Sequence, residues 1–209
     1  MKITLTDSGK RFNRDWIFRH LSYEFFTGIS YAITGPNGSG KSTLLQLIAG
    51  SMAASEGKID YRLSTGANIL PGGPESIYKF MSLTAPYLEV VEEMTFRELL
   101  HFHQHFKPFI PAVSIEGIIA IAGLEKAADK QIRFYSSGMK QRVKLVQALF
   151  SDTPVLLLDE PCNNLDSDGI ILYLRLVQEY CSSRLVIVSS NDEQEYVFCS
   201  QKIKPADFR

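Results

Sequence analysis

The sequence has little of what marks a secreted or membrane-spanning protein. Its 209 residues include three cysteines, an odd number without close pairing, so no disulfide framework is indicated and a reducing cytosol is favoured. No uncharged apolar run approaches the roughly 18 residues that a membrane-spanning helix needs. Residues 1–10 contain no apolar signal core. If this protein works at a membrane, we expect another chain to supply the spanning helices.

An excess of charge of either sign is also absent, because 22 Lys and Arg residues stand against 23 Asp and Glu residues. Nucleic-acid-binding proteins usually carry a strongly basic surface, so the composition predicts no nucleic-acid partner. Any anion must be held by local geometry. Hydrophobic residues make up 45% and charged residues 22%, a balance typical of a globular protein, and the length favours one compact domain.

Short apolar segments alternate with segments of helical periodicity, which predicts a parallel sheet with helices on both faces. Two strands at the start and one after the first helix have the alternation of an antiparallel edge. The predicted strands are residues 2–5, 16–25, 29–34, 57–62, 78–83, 154–158 and 185–189. The predicted helices are residues 43–49, 96–106, 115–124, 138–150 and 169–181.

A glycine-rich segment stands between the strand predicted at residues 29–34 and the helix predicted at residues 43–49. It matches G-x-x-x-x-G-K-[ST] in full, the pattern of a phosphate-binding loop in this context. Backbone N–H groups of such a loop point at phosphate oxygens, and the following helix adds its positive dipole end. We expect Lys41 to reach the β- and γ-phosphates of ATP and Ser42 to ligate Mg²⁺. The predicted phosphate-binding residues are Gly35, Pro36, Asn37, Gly38, Ser39, Gly40, Lys41, Ser42 and Thr43.

A second acidic motif follows the apolar strand predicted at residues 154–158. The carboxyl ends of strands in open α/β sheets line the crevice in which ligands bind. Asp159 is therefore predicted to hold Mg²⁺, directly or through water. Glu160 is predicted to accept a proton from the attacking water. Such a strand end alone is common, and the phosphate loop makes this one a catalytic hypothesis.

Between these motifs, residues 135–142 read YSSGMKQR, which resembles the signature segment of the ABC transporter family, usually LSGGQ. NNLD at residues 163–166 resembles the D-loop of the family, and Phe12 occupies the position of the aromatic residue on which adenine stacks. The resemblance spans nearly the whole chain. It implies that two cassettes close head to tail around ATP. Ser136, Ser137 and Gly138 would then contact the γ-phosphate bound by the partner.

The resemblance also implies an α/β fold of the P-loop NTPase class, with a mostly parallel sheet, an antiparallel β edge and an all-helical insertion. We expect residues 1–209 to form a single ATP-binding cassette. The helical subdomain is expected at about residues 87–135.

Several positions depart from the family pattern. Tyr135, Ser137 and Met139 replace the usual signature residues, and Asn191 stands at the position of the switch histidine. Ala85 or Pro86 stands in place of a glutamine that usually ligates Mg²⁺. Asn can donate only a neutral hydrogen bond, so hydrolysis is expected to be slower than in a fully equipped cassette, although Asn can also serve competently.

The leading hypothesis is an ATP-hydrolysing subunit of an ABC transporter, cytoplasmic and peripheral on the inner face of the membrane through its partner. The expected partners are a second cassette, identical or different, and a transmembrane permease subunit on a separate chain. Two alternatives stay open. One is a soluble ABC ATPase without a transport role, and the other is a nucleotide-dependent regulator with weak hydrolysis.

Overall fold

The strands form two separate sheets in the computed structural model, which describes residues 1–63 and 74–208. The strands are β1 (Lys2–Phe12), β2 (Asp15–Phe26), β3 (Ser30–Ile33), β4 (Glu56–Arg62), β5 (Met81–Thr84), β6 (Val155–Asp159), β7 (Leu185–Ser189) and β8 (Gln201–Ile203). An antiparallel sheet has the order β2-β1-β4, and a parallel sheet has the order β5-β6-β7-β3-β8. The predicted combination of a parallel core with an antiparallel edge is confirmed.

Five α-helices were predicted, and each is found with bounds shifted by a few residues. They are α1 (Lys41–Ile48), α2 (Phe96–Gln104), α3 (Ile115–Ile121), α4 (Ser137–Phe150) and α5 (Ser167–Tyr180). Side chains before the helices decide where several of them begin, because each accepts a hydrogen bond from the first turn. Thr95 and Glu98 form a reciprocal capping box at α2, and Ser136 and Asp166 cap α4 and α5. In the part of the chain that the structure describes, no helix is long and apolar enough to span a bilayer.

The buried central strands divide the interior into two hydrophobic cores. Successive side chains of a strand point to opposite faces of the sheet. Leu157 and Ile187 therefore pack with α1 and the antiparallel sheet on one face. Leu156 and Val188 pack with α2, α3, α4 and α5 on the other face. Burial of each such side chain stabilises the fold by about 1.5–3 kcal/mol. The continuous apolar run of β6 is thus explained by burial on both faces.

One predicted strand was misplaced, and one strand was missed. Residues 78–83 were predicted as a strand, but Pro74–Phe80 is a 3₁₀ helix and the strand is β5 (Met81–Thr84). Tyr78 is exposed, and pairing with β6 begins only at Met81. The aromatic residues Tyr78 and Phe80 favour a strand by composition, but strand length is decided by the available partner. β8 was missed because Gln201–Ile203 is too short to show alternation, and it forms only by pairing with β3.

The helices α2 and α3 lie between β5 and β6 in the chain and pack against α4, so an all-helical insertion is present in the α/β core. Arg97 on α2 connects the two inserted helices, since it forms ion pairs with Glu116 on α3 and with Asp129. The bounds of this insertion at about residues 87–135, and the treatment of the whole chain as one cassette, stay predictions.

Candidate functional site

The phosphate loop lies between β3 and α1, at the carboxyl end of the parallel sheet. Gly40 precedes α1 with a left-handed φ of 95°, and a Cβ atom there would collide with the side chain of Ile17. A glycine is therefore required where the loop turns into the helix. The loop encloses a cavity of about 340 Å³ lined by Ile17, Asn37, Gly38, Gly40, Lys41, Ser42, Thr43 and Glu160.

Lys41 is buried within the loop. Its Nζ donates hydrogen bonds to the carbonyl oxygens of Gly35 at 2.9 Å and of Pro36 at 3.3 Å. The ammonium group is thereby held across the loop, beside the cavity that it lines. The buried hydroxyl of Ser39 has no hydrogen-bond partner within residues 1–63 and 74–208. An unpaired buried hydroxyl is costly, and a phosphate oxygen would satisfy it.

Asp159 ends β6 and is buried next to two serine hydroxyls. The Ser189 Oγ donates to Oδ1 of Asp159 over 2.6 Å, and the Ser42 hydroxyl is also hydrogen-bonded to this carboxylate. Burial raises the pKa of Asp159, while the hydrogen bonds from Ser189 and Ser42 and the positive charge of Lys41 oppose that rise. Carboxylate and hydroxyl oxygens are the hard ligands that Mg²⁺ prefers. Asp159 and Ser42 therefore fit a magnesium site.

Glu160 and Asn191 border the same loop. Glu160 lines the cavity, and its backbone N–H donates to the Ser189 carbonyl at 2.9 Å. The Nδ2 of Asn191 donates to Oδ1 of Asn37 in the phosphate loop at 3.3 Å. The fold thus brings Lys41, Ser42, Asp159, Glu160 and Asn191 together from three separate stretches of sequence.

The signature segment lies apart from this cavity. Ser136 caps α4 by accepting a hydrogen bond from the Met139 N–H at 3.3 Å, and Ser137 is exposed. At Gly138 a Cβ atom would lie 3.0 Å from the carbonyl oxygen of Asn164, so the close approach to the D-loop favours glycine here rather than at Ser137. These residues border a separate cavity of about 730 Å³ lined by Gly123, Leu124, Glu125, Lys126, Ala127, Ser136, Gly138, Met139, Arg142, Asn164, Leu165 and Asp166.

Two further predicted positions have distinct surroundings. Phe12 is exposed near the β1–β2 turn, with Lys10 Nζ 5.3 Å from its ring centroid, and its adenine-stacking role stays a prediction. Tyr135, in place of the family leucine, is buried and donates its hydroxyl hydrogen to the Ala127 carbonyl at 2.6 Å. The larger side chain is therefore accommodated with its polar atom satisfied.

Sequence reasoning missed Ser189 and Ile17. Ser189 pairs with Asp159 across β6 and β7, a register that the sequence does not reveal. Its place at the end of a predicted buried strand was the available signal, because such ends line the ligand crevice. Ile17 reaches the cavity from β2, and no local pattern marks it.

Comparison with known proteins agrees with this geometry. The family model described as "ABC transporter" matches residues 18–163. The cytochrome c biogenesis ATP-binding export protein CcmA of Brucella abortus is 32% identical over 175 residues, covering 83% of this chain and 77% of that protein. The CcmA protein of Bartonella henselae is 30% identical over 185 residues, covering 85% of this chain and 82% of that protein.

A solved structure shows the same fold. The dimeric structure of MJ0796, a bacterial ABC transporter cassette, superimposes with a TM-score of 0.80 at 22% identity, covering 98% of this chain and 95% of that one. The matched family model spans both the phosphate loop and the acidic strand end described above. This chain therefore belongs to the ABC transporter family, as one of its ATP-binding subunits.

Proposed function

We propose that this chain binds ATP with Mg²⁺ at the phosphate loop and hydrolyses it, slowly, to drive a membrane transporter. The observation that carries this proposal is the convergence of Lys41, Ser42, Asp159 and Glu160 on one site. The ABC cassette family is generally one of ATPases, which supports hydrolysis.

Each residue has a role that follows from its position. Lys41 and the N–H groups of the loop balance the negative charge of the β- and γ-phosphates. Ser42 and Asp159 would hold Mg²⁺, which neutralises phosphate charge when it is bound. Glu160 accepts the proton of the attacking water, and Asn191 donates a neutral hydrogen bond near the γ-phosphate.

Slow turnover is supported by the absence of the switch histidine and of the Mg²⁺-ligating glutamine that are usual in the family. Asn191 contacts the phosphate loop but cannot carry the positive charge of a protonated histidine. The side chains of Ala85 and Pro86 contain no oxygen atom, so neither supplies the amide oxygen that a glutamine would offer to Mg²⁺. ATP binding does not depend on these groups, because the loop and Lys41 are complete.

The partners we propose are a second cassette and a permease subunit on a separate chain. MJ0796 is described as dimeric, and the CcmA relatives are described as export proteins. Several large apolar side chains are exposed around residues 87–106, which supports a protein partner there. They are Tyr87, Leu88, Val91, Phe102 and Phe106. A permease bound at this surface would hold the chain on the inner face of the membrane.

Steady-state phosphate release by the purified chain, with Mg-ATP affinity measured by calorimetry, tests the proposal. In Glu160→Gln we expect kcat to fall by about 10²–10⁴-fold while the Kd for Mg-ATP stays unchanged, because a general base acts only on the chemical step. Glu193→Gln, at an exposed glutamate, is the matched control and should behave as wild type. Equal rates for wild type and Glu160→Gln would contradict hydrolysis at this site.

The second candidate is a nucleotide-dependent regulator with weak hydrolysis, favoured by Asn191 at the switch position. This candidate is supported if the wild-type chain binds Mg-ATP but hydrolyses it no faster than Glu160→Gln does. Copurification with a chain of several membrane-spanning helices separates a transporter subunit from an ABC ATPase without a transport role.

A further inference from the structure

The backbone that carries Glu160 has an unusual conformation. Glu160 has a φ of 43°, in the left-handed region that residues other than glycine seldom adopt. Such conformations persist where surrounding contacts enforce them, and they cluster at active sites. The turn after β6 has a hydrogen bond of its own, from the Asn163 N–H to the Glu160 carbonyl oxygen at 3.1 Å, and two side chains from outside the turn also contact it.

One contact comes from α4. Gln141 is 3% exposed, and its Nε2 donates to the carbonyl oxygen of Pro161 at 2.6 Å. Gln141 lies on the second turn of the helix that Ser136 and Ser137 begin. A rigid helix therefore connects the signature segment directly to the residue after Glu160.

The other contact comes from the segment after Asn191. Glu195 is 5% exposed, and its Oε1 accepts a hydrogen bond from the Cys162 N–H at 2.8 Å. The Tyr173 hydroxyl donates to the Glu195 carbonyl at 2.7 Å, which fixes Glu195 against α5. The second carboxylate oxygen, Oε2, has no partner among the described residues. The Ser190 hydroxyl also hydrogen-bonds this carboxylate, yet burial raises the pKa of Glu195 by more than these contacts lower it. Burial of this carboxylate is therefore costly, and packing alone does not explain it.

We propose that Gln141 and Glu195 are positioning residues. They hold the Glu160 carboxylate where it accepts a proton from the attacking water. Neither side chain touches the cavity, and both act through the backbone of Pro161 and Cys162. The pair connects the signature helix and the switch segment to the same turn. This inference rests on the proposed hydrolytic function of Glu160.

The test compares kcat and Mg-ATP Kd in the purified full chain. Gln141→Leu and Gln141→Met remove the donor at similar volume, and Glu195→Leu removes the acceptor. Because displacement of a catalytic group by about 1 Å can cost about 100-fold, we expect kcat to fall by about 10–100-fold with Kd unchanged. Glu195→Gln keeps a carbonyl oxygen for the Cys162 N–H and is expected to retain most of the wild-type kcat.

Thr153→Val is the control for loss of stability alone. Thr153 is a buried hydroxyl at the opposite end of β6, hydrogen-bonded to Ser82 at 2.8 Å and to Arg184 at 2.7 Å. We expect this variant to lower Tm without lowering kcat at a temperature where it is folded.

The outcomes separate the two proposals. If wild type hydrolyses ATP and Glu160→Gln does not, but the Gln141 and Glu195 variants keep full kcat, only the positioning proposal is overturned. It is also overturned if Glu195→Gln is as slow as Glu195→Leu, or if Kd weakens as much as kcat falls. If wild type is no faster than Glu160→Gln, the proposed function fails first and the positioning proposal fails with it.

Discussion

The phosphate loop and the signature, switch and glutamine positions differ in how closely they match the family pattern. The loop matches its pattern at every defined position, and Lys41 is already held across it by two carbonyl oxygens. The signature, switch and glutamine positions carry Ser137, Asn191 and Ala85 or Pro86 instead of the usual residues.

Under the proposed function, this difference separates the binding of ATP from its hydrolysis. In a loop of this kind, phosphate is bound mainly by backbone N–H groups of one continuous stretch. Binding therefore depends on the glycines of the loop and on a single lysine. Hydrolysis depends on individual side chains contributed by distant stretches. The proposed function therefore predicts ordinary ATP affinity together with slow hydrolysis.

Of three substitutions that test this comparison, the largest effect is expected in the phosphate loop. Lys41→Ala removes a buried cation, and charge-assisted hydrogen bonds are worth about 1.5–3 kcal/mol, so the Kd for Mg-ATP should rise roughly 10- to 150-fold. Titration calorimetry measures it. Lys58→Ala, at an exposed lysine of β4, is the matched control and should bind as wild type. If Lys41→Ala binds as tightly as its parent, the loop does not bind phosphate as described.

A smaller effect is expected at the switch position. Asn191→His restores a group that can carry charge, and a charge-assisted hydrogen bond is about twice as strong as a neutral one. At about 1.4 kcal/mol of added stabilisation in the transition state, kcat should rise roughly tenfold. Asn191→Gln, which stays neutral, should not show this gain in the same phosphate-release assay. An unchanged rate in Asn191→His would mean that Asn191 already serves the switch role fully.

The smallest effect distinguishes two neighbouring signature residues. Gly138→Ala places a Cβ atom 3.0 Å from the Asn164 carbonyl, so the free energy of unfolding should fall by about 1 kcal/mol. Ser137→Ala changes an exposed side chain and should stay within about 0.5 kcal/mol of wild type. Chemical denaturation of both variants measures these values. Equal free energies of unfolding for the two variants would show that the Asn164 carbonyl moves aside without loss of stability.

Prediction from the sequence succeeded where the signal is local. The phosphate loop, the buried strand before Asp159 and the five helices each show a pattern within a short stretch, through glycine spacing, apolar runs or helical periodicity. It failed at Pro74–Phe80 and at β8, because a short strand exists only where a neighbouring strand offers hydrogen bonds. The contacts of Gln141 and Glu195 were not predictable for a related reason, since each side chain bonds a backbone group that is distant in sequence.

The sequence by itself determined the phosphate loop, the acidic strand end and the family to which the chain belongs, because these depend on residue types at short fixed spacings. Only the tertiary structure decided that Ser189 and Ser42 both meet the Asp159 carboxylate, that Asn191 reaches Asn37, and that the turn after Glu160 is held from two sides. The physical reason is that strand order and register bring distant segments together, and neither is specified by any single stretch of the chain.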